Sequence, residues 1–237
     1  MRDDEQRPSD RADTLHDTPA VDHALVAGIA ALNLVPVVGG VVATFISEYV
    51  PRRKQTRLVG FVQDLAREYE AERDRIDQEF VRTSEFERMF EDALDRVGSV
   101  RNEDKLGFWA ALLAGVATHD RPAERDRERL IETLDSIRRP HLRLLHVIAT
   151  TSEPRPGLYA GGVSDTLSWK MPDVPNEEAR RDWGDLARLD LVGDYPSGTM
   201  TAQGAGNLVA RLTPFGREFV KTLRLEAGYG LEAPEAR

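Results

Sequence analysis

The sequence contains no cysteine, which removes disulfide frameworks, thiolate metal sites and thiol nucleophiles together and fits a reducing compartment such as the cytoplasm. Histidine is scarce: His16, His23, His119, His141 and His146 are the whole set, and no two of them form an HExxH pair. The five-residue step from His141 to His146 turns roughly 140° around a helix, so the two rings do not share a face. All five are read as structural or surface residues, and neither a metal nor a cofactor is expected. No GxSxG elbow or P-loop occurs. Gly204-Ala205-Gly206 is the nearest approach to a phosphate loop, but it lacks the third glycine of GxGxxG and the Gly-Lys-Ser/Thr ending, and reads as a flexible turn tip. Carboxylates are numerous, yet the dense clusters lie on polar helix faces, whereas paired catalytic acids need a concave, partly desolvated setting. The expectation is a protein that is not an enzyme. Net positive charge is also missing: the balance is −9 and the pI about 5.2, which disfavours general attraction to phosphate backbones.

What is present divides the chain. Residues 1–20 are polar and poor in large apolar side chains, and read as a disordered tail. From Ala24 to Phe45 there is not one charged residue, about the ~20 apolar positions a bilayer span requires. Seven acids and three arginines precede this run in residues 1–22, whereas Arg52, Arg53, Lys54 and Arg57 follow it. If the segment spans, the positive-inside rule leaves the C-terminal bulk in the cytoplasm. The candidate membrane-contacting residues of 24–46 are Leu32, Val35, Pro36, Val38, Gly39, Gly40, Val41 and Phe45, with Arg52, Arg53 and Lys54 as the basic flank. The alternative is equally open. Asn33, Pro36, Gly39 and Gly40 would divide the run into two short apolar helices, about 22–34 and 38–50, folded as a buried hairpin.

Helical periodicity dominates the remainder. Leu58, Val62, Leu65, Tyr69, Ile76 and Phe80 make a stripe that predicts one amphipathic helix over 54–80, interrupted at Glu72. Ser84 and Glu87 form a capping box before a second stripe of Phe86, Met89, Phe90, Ala93, Leu94 and Val97. The segment EDKLGFWAALLAGVA is apolar on most sides and predicts the centre of a bundle, with Leu106, Trp109, Leu113 and Val116 inward. Further helices are predicted after Pro122, around Leu130, Ile131, Leu134 and Ile137, and at Pro140. Four prolines and three glycines between Glu153 and Pro175 mark a loop or insertion. After it come a helix at about 176–189, a short strand at 191–195, a turn-rich tip, a second strand at 208–213 and a closing helix at 214–225. The fold class expected is mainly α: an N-terminal helical bundle at 21–151, a small winged-helix-like α+β domain at 152–226, and a second disordered tail at 227–237.

Leu186, Leu189, Leu191, Val192, Leu212, Thr213, Gly216 and Phe219 lie in an arrangement similar to the recognition helix and wing of bacterial winged-helix proteins. Over about residues 78–225 the chain also resembles the Abi-alpha family of abortive-infection-associated proteins. The residues that carry this likeness are Glu103, Trp109, Ala110, Leu112, Leu113, Ala114, Leu134, Leu145, Leu191 and Gly216. The resemblance implies a bacterial protein associated with phage defence and supplies no active site to transfer. DNA is not expected as a partner, because Pro140 to Leu225 contains ten cations and ten acids and the candidate recognition helix is itself acidic. The candidate interaction surface is Arg180, Arg181, Arg188, Arg217 and Lys221, directed at a protein partner whose identity the sequence leaves open, as it does homo-oligomerisation. The function expected is a non-enzymatic interaction protein of abortive-infection-type defence, cytoplasmic and associated with the inner membrane face through 24–46. The alternative is a cytoplasmic regulator that binds protein or DNA through its winged helix.

Overall fold

The computed structural model describes residues 52–99, 105–228 and 231. The 24–46 segment and both tails beyond these limits lie outside the described residues, as does Asn102, which the sequence offers as the N-cap of the EDKLGFWAALLAGVA helix. Among the described residues the protein is mainly helical: nine helices and a single two-stranded sheet. No described helix is long and apolar enough to cross a membrane.

α1 (Arg52–Ala71) and α2 (Ser84–Ser99) flank α3 (Leu106–Val116), the central helix. α3 has almost no polar face, and Leu106, Phe108 to Ala114 and Val116 are all buried, as expected of a helix that is apolar all round. The stripe from Leu58 to Phe80 is buried as its period requires, but not by one continuous helix. α1 ends at Ala71, and two short 3-10 turns (Arg73–Arg75 and Phe80–Arg82) carry the chain to α2. Glu72, the residue that breaks the stripe, is itself buried and accepts from Arg75 at 2.8 Å. Ile76 then pairs with Thr118 in an isolated antiparallel bridge. The cap of α2 lies one residue before Ser84: Thr83 Oγ1 accepts the Phe86 amide at 3.3 Å.

α4 (Glu124–Ser136) and α5 (Arg139–Thr150) complete the N-terminal half. Buried Lys105 is desolvated, which lowers its pKa, and its ammonium donates to the carbonyls of Asp135 and Ile137 at the end of α4. The 153–175 stretch is more ordered than its prolines suggest. Ala160–Gly161 (β1) pairs with Met200–Thr201 (β2), and Val163–Lys170 forms α6.

α7 (Asn176–Arg188) ends in two backbone bonds, Asp190 N–H to Ala187 O and Leu191 N–H to Leu186 O, each 3.0 Å. This is a Schellman closure with Asp190 in the left-handed position (φ 58°), where aspartate substitutes for glycine. The strands expected at 191–195 and 208–213 reduce to the single bridge Val192–Leu212. The Gly204-Ala205-Gly206 tip is not loose: Ala202–Gly206 forms the short helix α8, with Ala205 and Gly206 buried. A Cβ on Gly206 would lie 2.2 Å from the Pro154 Cα, so this glycine is there for close backbone approach. α9 (Pro214–Thr222) is capped by Thr213 Oγ1 on the Gly216 amide at 2.8 Å. One apolar core runs from Leu58 to Leu231 and includes Trp109, Leu145, Trp183, Leu191 and Phe219.

Candidate functional site

Among the described residues, a group of ionisable side chains at low exposure lies where α5 meets α7. α5 opens with Arg138 in extended conformation (φ −114°, ψ 167°) and Pro140 in its first turn. That places His141 three residues after the cap, the position at which Glu or Gln reaches back in a capping box. His141 does the same: its Nδ1 accepts the Arg138 backbone N–H at 3.0 Å. One turn apart on α7, Asp182 and Asp185 project toward the other edge of the ring. Nε2 lies 3.4 Å from Asp182 Oδ1 and 3.3 Å from Asp185 Oδ2. His141 and Asp182 are buried, at 4% and 6% exposure.

The backbone bond fixes the tautomer. A nitrogen that accepts an N–H uses its lone pair, so the proton of the neutral ring is on Nε2. That N–H faces two carboxylates and makes a well-formed hydrogen bond to neither. Burial raises the Asp182 pKa above the ordinary carboxylate value; the charges of His141 and Arg138 work against the rise, and Glu178 and Asp185 add to it. Asp185 is better neutralised: its Oδ1 takes the Arg188 guanidinium at 2.8 Å, and Arg138 Nη2 is 4.0 Å from its Oδ2.

The three ligand atoms lie within 4.8 Å of one another, and the 3.3–3.4 Å spacings resemble the edge of a tetrahedron with ~2.0 Å metal–ligand bonds. The tautomer opposes a metal. A metal needs the Nε2 lone pair, and metal-bound histidines ordinarily donate their other ring N–H. With Nδ1 already accepting, a metal would require either an imidazolate or loss of the α5 cap. As arranged, the ring is held at Nδ1 by the Arg138 amide and presents Nε2 to the two carboxylates.

The other described histidines are tied locally. His146 Nδ1 is 2.6 Å from Leu225 O, and exposed His119 lies 3.6 Å from Asp77.

The cations selected from sequence occupy several settings. Arg52, Arg53 and Lys54 open α1, of which only the backbone is described there. Arg180 lies over the Tyr195 ring at 5.4 Å and lines an open groove with Ser164, Asn176 and Pro196. Arg181 is exposed, and Arg188 is held by Asp185. Arg217 donates to Leu212 O at 2.7 Å. Lys221 donates to Asp120 O at 3.4 Å and lines a separate groove of about 730 Å³ with Arg129, Asp190 and Phe215. The two grooves share no residue. Leu32, Val35, Pro36, Val38, Gly39, Gly40, Val41 and Phe45 lie outside the described residues.

Sequence reasoning passed over the His141 group because its members are about forty positions apart. The available signal was a histidine just inside a Pro-started helix together with a DxxD pair on another helix. No family model, characterised protein or solved structure matches this chain.

Proposed function

We propose that this chain is a non-enzymatic interaction protein of abortive-infection-type defence that engages the inner face of the membrane through residues 24–46. The observation that carries the reading is the uncharged run Ala24–Phe45, which leads through Arg52, Arg53 and Lys54 into α1. Further along, α1 buries Leu58, Phe61, Val62 and Leu65 in the core. An inserted segment attached in this way would be coupled to a rigid body, and the basic flank would favour the anionic cytoplasmic leaflet. The defence role rests on the Abi-alpha resemblance. A second reading, a regulator acting through a winged helix, draws support from the order of bridge, Thr213 cap and α9.

Carbonate-washed membranes and phage plaquing separate the two. The full-length chain is expected to stay with the washed membrane and to lower plaquing. Val38→Asp should release it with its thermal melt intact and abolish protection, since a mid-bilayer carboxylate costs ~2.5–3.5 kcal/mol. A wild-type chain that remains in the supernatant and binds duplex DNA at physiological salt would reverse the preference.

A further inference from the structure

We propose that His141 is a proton-operated switch that exchanges the N-terminal cap of α5 for an ionic clasp on α7. The inference is independent of the membrane reading.

Two demands on one ring cannot both be met once the ring is charged. In the neutral form Nδ1 holds the Arg138 amide at 3.0 Å, and the Nε2 proton faces Asp182 and Asp185 without a well-formed bond to either. A second proton can go only onto Nδ1, the atom that caps the helix. There it would oppose the Arg138 N–H, donor against donor, and the cap must open. The same proton makes the ring a cation 3.3–3.4 Å from two carboxylates, where charge-assisted bonds are about twice as strong as neutral ones. Acidification therefore loosens the joint between α4 and α5 and tightens the joint between α5 and α7.

Charged groups face the ring from both sides. From the cap side the group faces Arg138, with Lys105 bound to the Ile137 carbonyl immediately before it. On α7 it faces Glu178, Asp182, Asp185 and Arg188. The two carboxylates favour the imidazolium, Arg138 disfavours it, and Arg188 takes part of the Asp185 charge away. Such opposing terms on a buried titratable group are what a bistable element requires.

The test uses the intact chain and two nuclear magnetic resonance readouts over mildly acidic to neutral pH: the His141 ring nitrogens and the exchange protection of the Arg138 amide. The Nε2–H tautomer is expected at neutral pH. On acidification the Arg138 protection factor should fall about five- to tenfold, as losing one hydrogen bond produces. His141→Gln keeps a capping side chain that cannot take a proton, so its Arg138 protection should not change with pH. A Nδ1–H tautomer at neutral pH, unchanged protection on acidification in the wild type, or an equal loss in His141→Gln would each overturn the proposal. So would a melting temperature raised by zinc, because zinc would need the Nε2 lone pair that the cap denies it.

Discussion

Trp109 and Trp183 are both fully buried, yet the regions around them are held in different ways. Trp109 lies in α3, the apolar central helix, and its indole N–H has no partner. Trp183 lies in α7, donates to Gly193 O at 2.8 Å and meets Tyr195 edge-on at 5.4 Å. The N-terminal half is a helical stack specified largely by shape and apolar area. The C-terminal half has short elements, and specific polar contacts fix its turns: the Thr213 cap, Thr166 on Ala205 O at 2.9 Å, and the Asp190 closure of α7. Apolar area tolerates exchange of similar volumes, whereas a turn built on one hydrogen bond or one missing Cβ does not.

The hardest way to break that contrast is at Gly216. A Cβ there would lie 1.8 Å from the Leu191 carbonyl oxygen, so Gly216→Ala should cost more than the ~1–3 kcal/mol of ordinary overpacking. Denaturant melts should show lost cooperativity, and a shift below one kcal/mol would mean that α9 can slide. Next is Trp109→Ala, expected to cost ~3–5 kcal/mol. Replacing each tryptophan by Phe sharpens the comparison. Both changes remove the same volume, but Trp183→Phe also strands a carbonyl, whereas Trp109→Phe removes an unpaired donor. The Trp183 variant should be the less stable by ~1–2 kcal/mol, and equal melts would erase the distinction.

The smallest effect is on pH dependence, and it has opposite signs in the two halves. Asp77 is held below the ordinary carboxylate range by the Phe80 amide and by Arg121. Its folded value is depressed, so its stabilisation is complete above the unfolded value and is lost as pH falls through the folded one. Asp182 is raised by burial; its destabilisation is present above the folded value and is relieved as pH falls through it toward the unfolded one. Asp77→Asn should therefore flatten the acid side of the stability profile, and Asp182→Asn should steepen it. Thermal melts collected between pH 3 and pH 7 check both, and slopes that move in the same direction would contradict the assignment.

The sequence pattern carried the regular elements well. Every stripe position from Leu58 to Val97 is buried, and α3 lies at the centre as its composition requires. It failed where a local signal competes with a distant partner. Glu72, itself buried, follows the end of α1 and pairs with half-exposed Arg75, and Arg224 reaches it from the far end of the chain at 3.4 Å. The prolines of 153–175 concealed α6, because an eight-residue helix leaves little periodicity to detect. Gly204 and Gly206 looked like freedom, whereas Gly206 is a contact with Pro154. The His141 group was invisible for the same reason: the histidine's tautomer is set by its neighbour's amide, and its carboxylates arrive from another helix.

The bond from Arg224 to Glu68, 2.7 Å long and 156 positions apart in the chain, bears on the order of manufacture. Synthesis proceeds from the N-terminus, so α1 leaves the ribosome long before the residue that secures its far end exists. Until Arg224 emerges, Glu68 lacks this partner, although α3, against which α1 mainly packs, follows α1 closely in the chain. The apolar packing of α1 on α3 can therefore precede this bond, which closes only once residue 224 has been made.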